Sequence, residues 1–168
     1  MPYVAFHLFF PEIAEKETRT VTVLRKTGDG LPPGDYSFLE LFCDEPACDC
    51  RRVFLSVISS RRKMLECVIA YGWESRDFYV RWMGDDEPVV IDTLHGASLN
   101  MTSPQSDLAP AILELFKKVL LQDGAYIVRI KRHYQVFRDR IDEKSTNADS
   151  SKVRGKRKTG SPRKHLRS

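Results

Sequence analysis

Three of the four cysteines in this 168-residue chain fall within eight positions, in the run Cys43-Asp44-Glu45-Pro46-Ala47-Cys48-Asp49-Cys50-Arg51-Arg52. The spacing is C-x4-C-x-C. Zinc favours thiolates in a tetrahedron, and a closed structural site needs four ligands. In an extended segment alternate side chains point the same way, so Cys48 and Cys50 can both face one ion. Glu45-Pro46 favours a turn that carries the chain back toward Cys43. Three thiolates and Zn²⁺ sum to −1 when the fourth ligand is neutral, and Arg51 and Arg52 stand beside the site to offset that charge. The same spacing also fits plain reduced cysteines, or a thiol redox pair formed by Cys48 and Cys50.

The fourth ligand must come from elsewhere. Cys67 lies mid-strand in LECVIAYGW, sharing a face with Leu65 and Ile69, and reads as a small buried apolar residue. Of His7, His95, His133 and His165, the preferred candidate is His133, beside the apolar stripe of the last helix and able to reach back to a sheet. A water or Asp49 are the other options. The expected zinc set is therefore Cys43, Cys48, Cys50 and His133.

The elements that must position these residues read as strands first and helices last. Thr18 to Lys26, Tyr36 to Cys43, Val53 to Ser59, Met64 to Trp73, Phe78 to Met83 and Val89 to Leu94 are rich in β-branched and aromatic residues and are separated by short turns. They predict a mainly antiparallel sheet. Apolar residues on both faces of Tyr36–Cys43 predict burial on both sides. Pro11 to Glu15 suggests a short helical turn or loop. A helix capped at Thr102 or Ser103, with Pro104 in its first position, carries Leu108, Ile112, Leu115, Phe116 and Val119 on one face. After Gln122-Asp123-Gly124 a second helix, capped by Asp123, carries Ile127, Ile130, Tyr134, Phe137 and Ile141. The fold class is α+β: an antiparallel sheet, two C-terminal helices and a disordered basic tail. The domain spans 1–141 and the tail 142–168.

Charge divides along the same boundary. From Lys152 to Ser168 there are eight of the 27 Lys and Arg and no acidic residue; the other 19 face all 23 Asp and Glu, so the body is net −4 and the tail +8. Tail residues Arg154, Lys156, Arg157, Lys158, Arg163 and Lys164, without interleaved aromatics, suit contact with nucleic-acid phosphates, RNA before DNA. No apolar run is long enough to span a membrane, and MPYVAFHLFF lacks the basic start and cleavage site of a signal peptide. A cytoplasmic protein with reduced thiols is the expectation.

Two further groups of residues are candidate sites. Trp73, Tyr79 and Trp82 lie near Glu74, Asp77 and the Asp85-Asp86-Glu87 turn, whose carboxylates suit either acid–base chemistry or solvation of a surface turn. Glu17-Thr18-Arg19 suggests a local ion pair. There is no Gly-rich phosphate loop, nucleophile elbow or H-E-x-x-H.

Phe10-Pro11-Glu12, Glu17-Thr18-Arg19, Leu31-Pro32, Tyr36-x-Phe38, Cys48-Asp49-Cys50-Arg51-Arg52, Tyr71-Gly72-Trp73 and Arg132-His133-Tyr134 together make residues 9–138 resemble a group of uncharacterised bacterial proteins. Some of that group end in a SEC-C type zinc motif, the small metal-binding tail also found on the preprotein translocase ATPase. The resemblance implies a cytoplasmic, metal-linked domain and no catalytic activity. The present tail has no cysteine, so a SEC-C site cannot form there. The function these readings predict is a zinc-stabilised, non-enzymatic binding or adaptor domain that touches RNA or ribosomes through its basic arm. The competing reading is a metal-dependent hydrolase with an open coordination position at the cysteine loop.

Overall fold

The computed structural model describes the backbone of residues 3–156 and the side chains through Ser150. Its centre is an antiparallel sheet of six strands: β1 (Tyr3–Ala5), β2 (Arg19–Val23), β3 (Gly34–Cys43), β4 (Arg52–Ser59), β5 (Met64–Gly72) and β6 (Gly96–Leu99). The order is β1-β3-β4-β5-β6, and β2 pairs with β3 beside β1. β1 matches Tyr3–Ala5 to Cys43–Leu41, whereas β2 matches Arg19–Val23 to Phe38–Gly34, so two short strands share one edge of β3. The α+β class and the antiparallel sheet expected from the sequence are both present.

Alternation sets what each face does. On β3, Tyr36, Phe38, Glu40 and Phe42 are buried against the helices, while Leu39 and Leu41 on the other face are only half-buried. Burial on both sides of this strand is thus only partly realised, because a smaller cluster of Phe54, Val68 and Ala70 forms the second face. The main core joins the inner face of the sheet to α5 (Ala109–Leu115), the π-helical turn that follows it (Phe116–Leu120), and α6 (Gly124–Lys156).

Two expected strands are helices. α3 (Arg76–Met83) begins where the Ser75 hydroxyl accepts the Phe78 N–H at 3.2 Å, and it ends at Gly84, left-handed at φ 71°. α4 (Pro88–Leu94) starts on a proline and buries Ile91 and Leu94, three positions apart. The caps and the three-residue spacing prevail over the strand preference of FYVRWM and VVIDTL. These two helices form an arm between β5 and β6, and β6 itself is an addition to the expected strands. The N-terminal segment folds as α1 (Phe6–Phe9) and α2 (Pro11–Glu17), extending the short helical turn expected there.

The first C-terminal helix starts at Ala109 rather than Pro104, because residues 100–107 form turns: the Ser106 hydroxyl, for example, accepts the Leu108 N–H at 3.1 Å. α6 begins as expected, with Asp123 Oδ1 accepting the Tyr126 N–H at 3.2 Å. Its buried stripe is Tyr126, Ile130, Tyr134, Phe137 and Ile141. Tyr126, rather than Ile127, takes the first position. The helix then runs on to Lys156, past the 141/142 boundary where disorder was expected to begin. Among the described residues no helix is long and apolar enough to cross a membrane.

Candidate metal centre

β3 ends at Cys43, and the chain reaches β4 through the loop carrying Cys48 and Cys50. Their three sulfurs lie within 4.8 Å of one another. Local backbone geometry makes this convergence. The Cys48 N–H meets the Glu45 carbonyl at 3.3 Å, closing a turn with Pro46 second and Ala47 third at φ 58°. Pro46 is suited to that place by its fixed φ, whereas Ala47 in the left-handed region is strained. Arg51 is held at φ 47°, so the eight-residue loop Asp44–Arg51 contains two of the three non-glycine residues with positive φ among those described. Such strain persists where the surroundings over-determine it, and it concentrates at functional sites.

Each sulfur faces the backbone N–H two residues ahead: Glu45 for Cys43, Cys50 for Cys48 and Arg52 for Cys50. These donors favour thiolate over thiol. The Cys50 thiol also donates to Cys43; with the Glu45 N–H, the Cys48 thiol and the Arg138 guanidinium, it outweighs burial and draws Cys43 down to about 6. Cys50, which supplies that hydrogen bond and is itself buried, is pushed up. Burial, then the Cys43 charge, pushes Cys48 up. Cys67 is fully buried opposite Val57, and burial followed by the Glu66 charge pushes it to about 12, in keeping with a core residue.

The loop is gripped from two sides. From α6, three residues spaced by four reach its backbone. Tyr134 Oη accepts the Arg51 N–H at 3.2 Å, Arg138 Nη1 donates to the carbonyls of Glu45 at 2.8 Å and Cys48 at 3.0 Å, and Asp142 Oδ1 accepts the Ala47 N–H at 2.9 Å. From the α3–α4 arm, Tyr79 Oη donates to the Arg51 carbonyl at 2.9 Å, and Arg52 Nη2 donates to Thr93 O at 2.9 Å. Gly72 makes room for the arm: a Cβ there would lie 2.0 Å from the Leu94 carbonyl and 2.5 Å from Tyr79 Oη.

Arg138 is the residue the sequence reading missed. It is 5% exposed, its Nε and Nη2 have no partner, and it forms no ion pair with a carboxylate among the described residues. A buried guanidinium needs a counter-charge, and the sulfur cluster on which it acts supplies one. Its signal in the sequence was its position four residues beyond Tyr134 on the loop-facing side of α6. Arg51, expected to offset the charge, is instead paired with Asp49 at 2.9 Å and Glu74 at 3.2 Å. Arg52 lies over Phe54.

His133 does not join the thiols. Its Nδ1 is 2.7 Å from Glu40 Oε2 and its Nε2 is 2.5 Å from Glu17 Oε2, so both ring nitrogens are engaged by carboxylates. Both lie on the side of α6 that faces α2 and the middle of β3. Burial would lower the His133 pKa, but hydrogen bonds and charge from Glu40 and Glu17 raise it. Glu17 is drawn down, chiefly by the His133 hydrogen bond and then by Arg132; burial pushes Glu40 up. His95 hydrogen-bonds Glu74 O at 2.8 Å, His7 is exposed on α1, and His165 lies outside the described residues. No fourth His, Cys, Asp or Glu joins the sulfur group among the described residues.

The remaining candidates resolve into structural roles. Asp85 Oδ1 accepts the N–H groups of Asp86 and Glu87 at the turn before α4. Trp73 packs edge-on against Tyr134, and Tyr79 is fully buried. Glu17 turns to Arg132 and His133, and Arg19 to Asp123 at 3.6 Å, so these two residues do not pair with each other. Arg154 and Lys156 fall in the last part of α6, whereas Arg157, Lys158, Arg163 and Lys164 lie outside the described residues. No family model, no curated protein and no solved structure matches this chain.

Proposed function

We propose that the chain is a zinc-stabilised binding domain in which Cys43, Cys48 and Cys50 hold the ion, with its basic C-terminal segment contacting the phosphates of RNA. The observation that carries the metal reading is the convergence of three sulfurs that each face a backbone N–H, beside Arg138, a buried cation with no carboxylate partner among the described residues whose charge acts on Cys43. Three thiolates and Zn²⁺ carry −1, which one guanidinium balances. The residues around the sulfurs grip backbone, as suits a centre that fixes a loop between sheet, arm and α6. The RNA contact rests on the +8 charge of residues 152–168.

Metal analysis of the protein purified without added metal tests the reading. About one equivalent of zinc, lost in the Cys48→Ser variant, is the expected result. Less than about a tenth of an equivalent of any transition metal removes the metal reading, since a thiolate site binds tightly.

A further inference from the structure

We infer that the cysteine loop is a peroxide-sensitive switch that releases its metal on oxidation and thereby loosens the grip of α6; this rests on the zinc reading above. Two observations carry it. The three sulfurs differ in access: Cys43 and Cys50 are fully buried, whereas Cys48 is partly exposed on the turn built by Glu45, Pro46 and Ala47. The turn that carries Cys48 is also what α6 holds: Arg138 Nη1 donates to the Glu45 and Cys48 carbonyls.

A hydroperoxide reaches Cys48 first. Its sulfur attacks one peroxide oxygen, the O–O bond breaks, and Cys48 becomes a sulfenic acid as hydroxide or alkoxide leaves. The Cys43 thiolate then attacks the Cys48 sulfur, the S–S bond forms, and the S–O bond breaks with loss of hydroxide. Two thiolates have lost two electrons and the peroxide has gained them. Cys43 is the resolving partner because the Glu45–Cys48 turn folds Cys48 back onto it, whereas a Cys48–Cys50 bridge closes a ring too tight for relaxed disulfide geometry. Zinc, left with Cys50 alone, departs. Closing the disulfide draws the Cys43 and Cys48 sulfurs, within 4.8 Å of one another in the reduced loop, to about 2.05 Å, and this shifts the Glu45–Cys48 turn. The turn carries the Glu45 and Cys48 carbonyls with it, so they leave Arg138 Nη1 and the grip of α6 on the loop is loosened.

The test uses the full-length, zinc-loaded protein, hydrogen peroxide and a chromogenic zinc chelator. Asp-N digestion separates the three cysteines, since Asp44 and Asp49 lie between them. The switch predicts one zinc released per two thiols lost, a Cys43–Cys48 linked peptide pair, restoration by dithiothreitol and zinc, and faster amide exchange at residues 45–48 in the oxidised form. Zinc retained under peroxide, or released with Cys48 over-oxidised and no disulfide, overturns the switch and leaves the metal centre standing. Protein that carries no zinc overturns the metal centre, and the switch with it.

Discussion

Arg138 on α6 donates to the Cys48 carbonyl at 3.0 Å, and its guanidinium charge lowers the pKa of Cys43 at the other end of the same loop. One side chain therefore holds the backbone of the turn and neutralises the cluster that the turn assembles. Tyr134 and Asp142, one helical turn to either side, add a hydrogen bond each. The helix recognises the shape of the loop and Arg138 recognises its charge.

Replacing Arg138 separates those roles. Arg138→Met keeps the length and apolar stem but removes the cation beside an anionic centre. The zinc-loaded variant is expected to lose about 3–5 kcal/mol, the usual cost of leaving one member of a buried pair alone. The metal-free protein should lose less, because its cluster carries a more labile charge. Urea unfolding of both forms checks this, and equal losses would show that Arg138 serves only the backbone carbonyls.

Removing the metal should destabilise the loop before the sheet. EDTA treatment is expected to lower the melting temperature and to speed amide exchange at residues 44–51, while the β3–β4–β5 ladder stays protected. Cobalt substitution reports the fourth ligand. A tetrahedral spectrum that shifts when azide is added indicates an exchangeable position, as the hydrolase alternative requires; an unresponsive spectrum indicates a closed structural site.

Much of this was legible in the sequence. The cysteine spacing placed the site, and the alternation of Tyr36, Phe38, Glu40 and Phe42 placed the strand that leads into it. What stayed hidden was long-range. Arg138 is 95 residues from Cys43 in the chain, and only its spacing of four from Tyr134 hints at the face it shares. His133 was drawn to the correct side of α6 but to the wrong partner, because Glu17 and Glu40 are 116 and 93 residues away from it. The arm was misread because aromatic and β-branched residues signal strand whereas Ser75, Gly84 and Pro88 signal helix ends, and the caps decided the outcome.

Gly72 is predicted to be intolerant of any side chain. A Cβ at 2.0 Å from the Leu94 carbonyl would force the arm off the sheet and pull Tyr79 from the Arg51 carbonyl. Gly72→Ala should cost about 1–3 kcal/mol or more. Thermal melting measures the loss, and zinc affinity should weaken with it if the arm supports the loop.

The basic segment makes a separate prediction. Deleting residues 157–168 removes Arg157, Lys158, Arg163, Lys164 and Arg167. The fold should be unchanged, and affinity for single-stranded RNA should fall. Each phosphate contact contributes about 0.7 to the slope of log K against log salt, so a loss of three to five contacts should flatten it by roughly 2–3.5. Retained binding with the same slope would place the contact elsewhere.

The Glu17–His133–Glu40 bridge makes stability depend on pH with a definite sign. His133 is 2% exposed and its pKa is raised in the fold, so its contribution is full below the unfolded value of about 6.5 and is lost as pH rises through the folded value. Glu40, raised by burial, acts in the same direction: the folded state holds its proton longer, so stability falls as pH climbs through its shifted range. Glu17 is lowered, and its contribution is present above the unfolded value and lost as pH falls through the folded one. The stability maximum should therefore lie on the acidic side of neutrality, with a decline toward alkaline pH. His133→Ala leaves two carboxylates without their shared partner and should cost about 3–5 kcal/mol. Urea midpoints measured across the pH range, for wild type and for His133→Gln, check the assignment. The alkaline decline should shrink in the glutamine variant, whose side chain bonds the same carboxylates without a charge to lose.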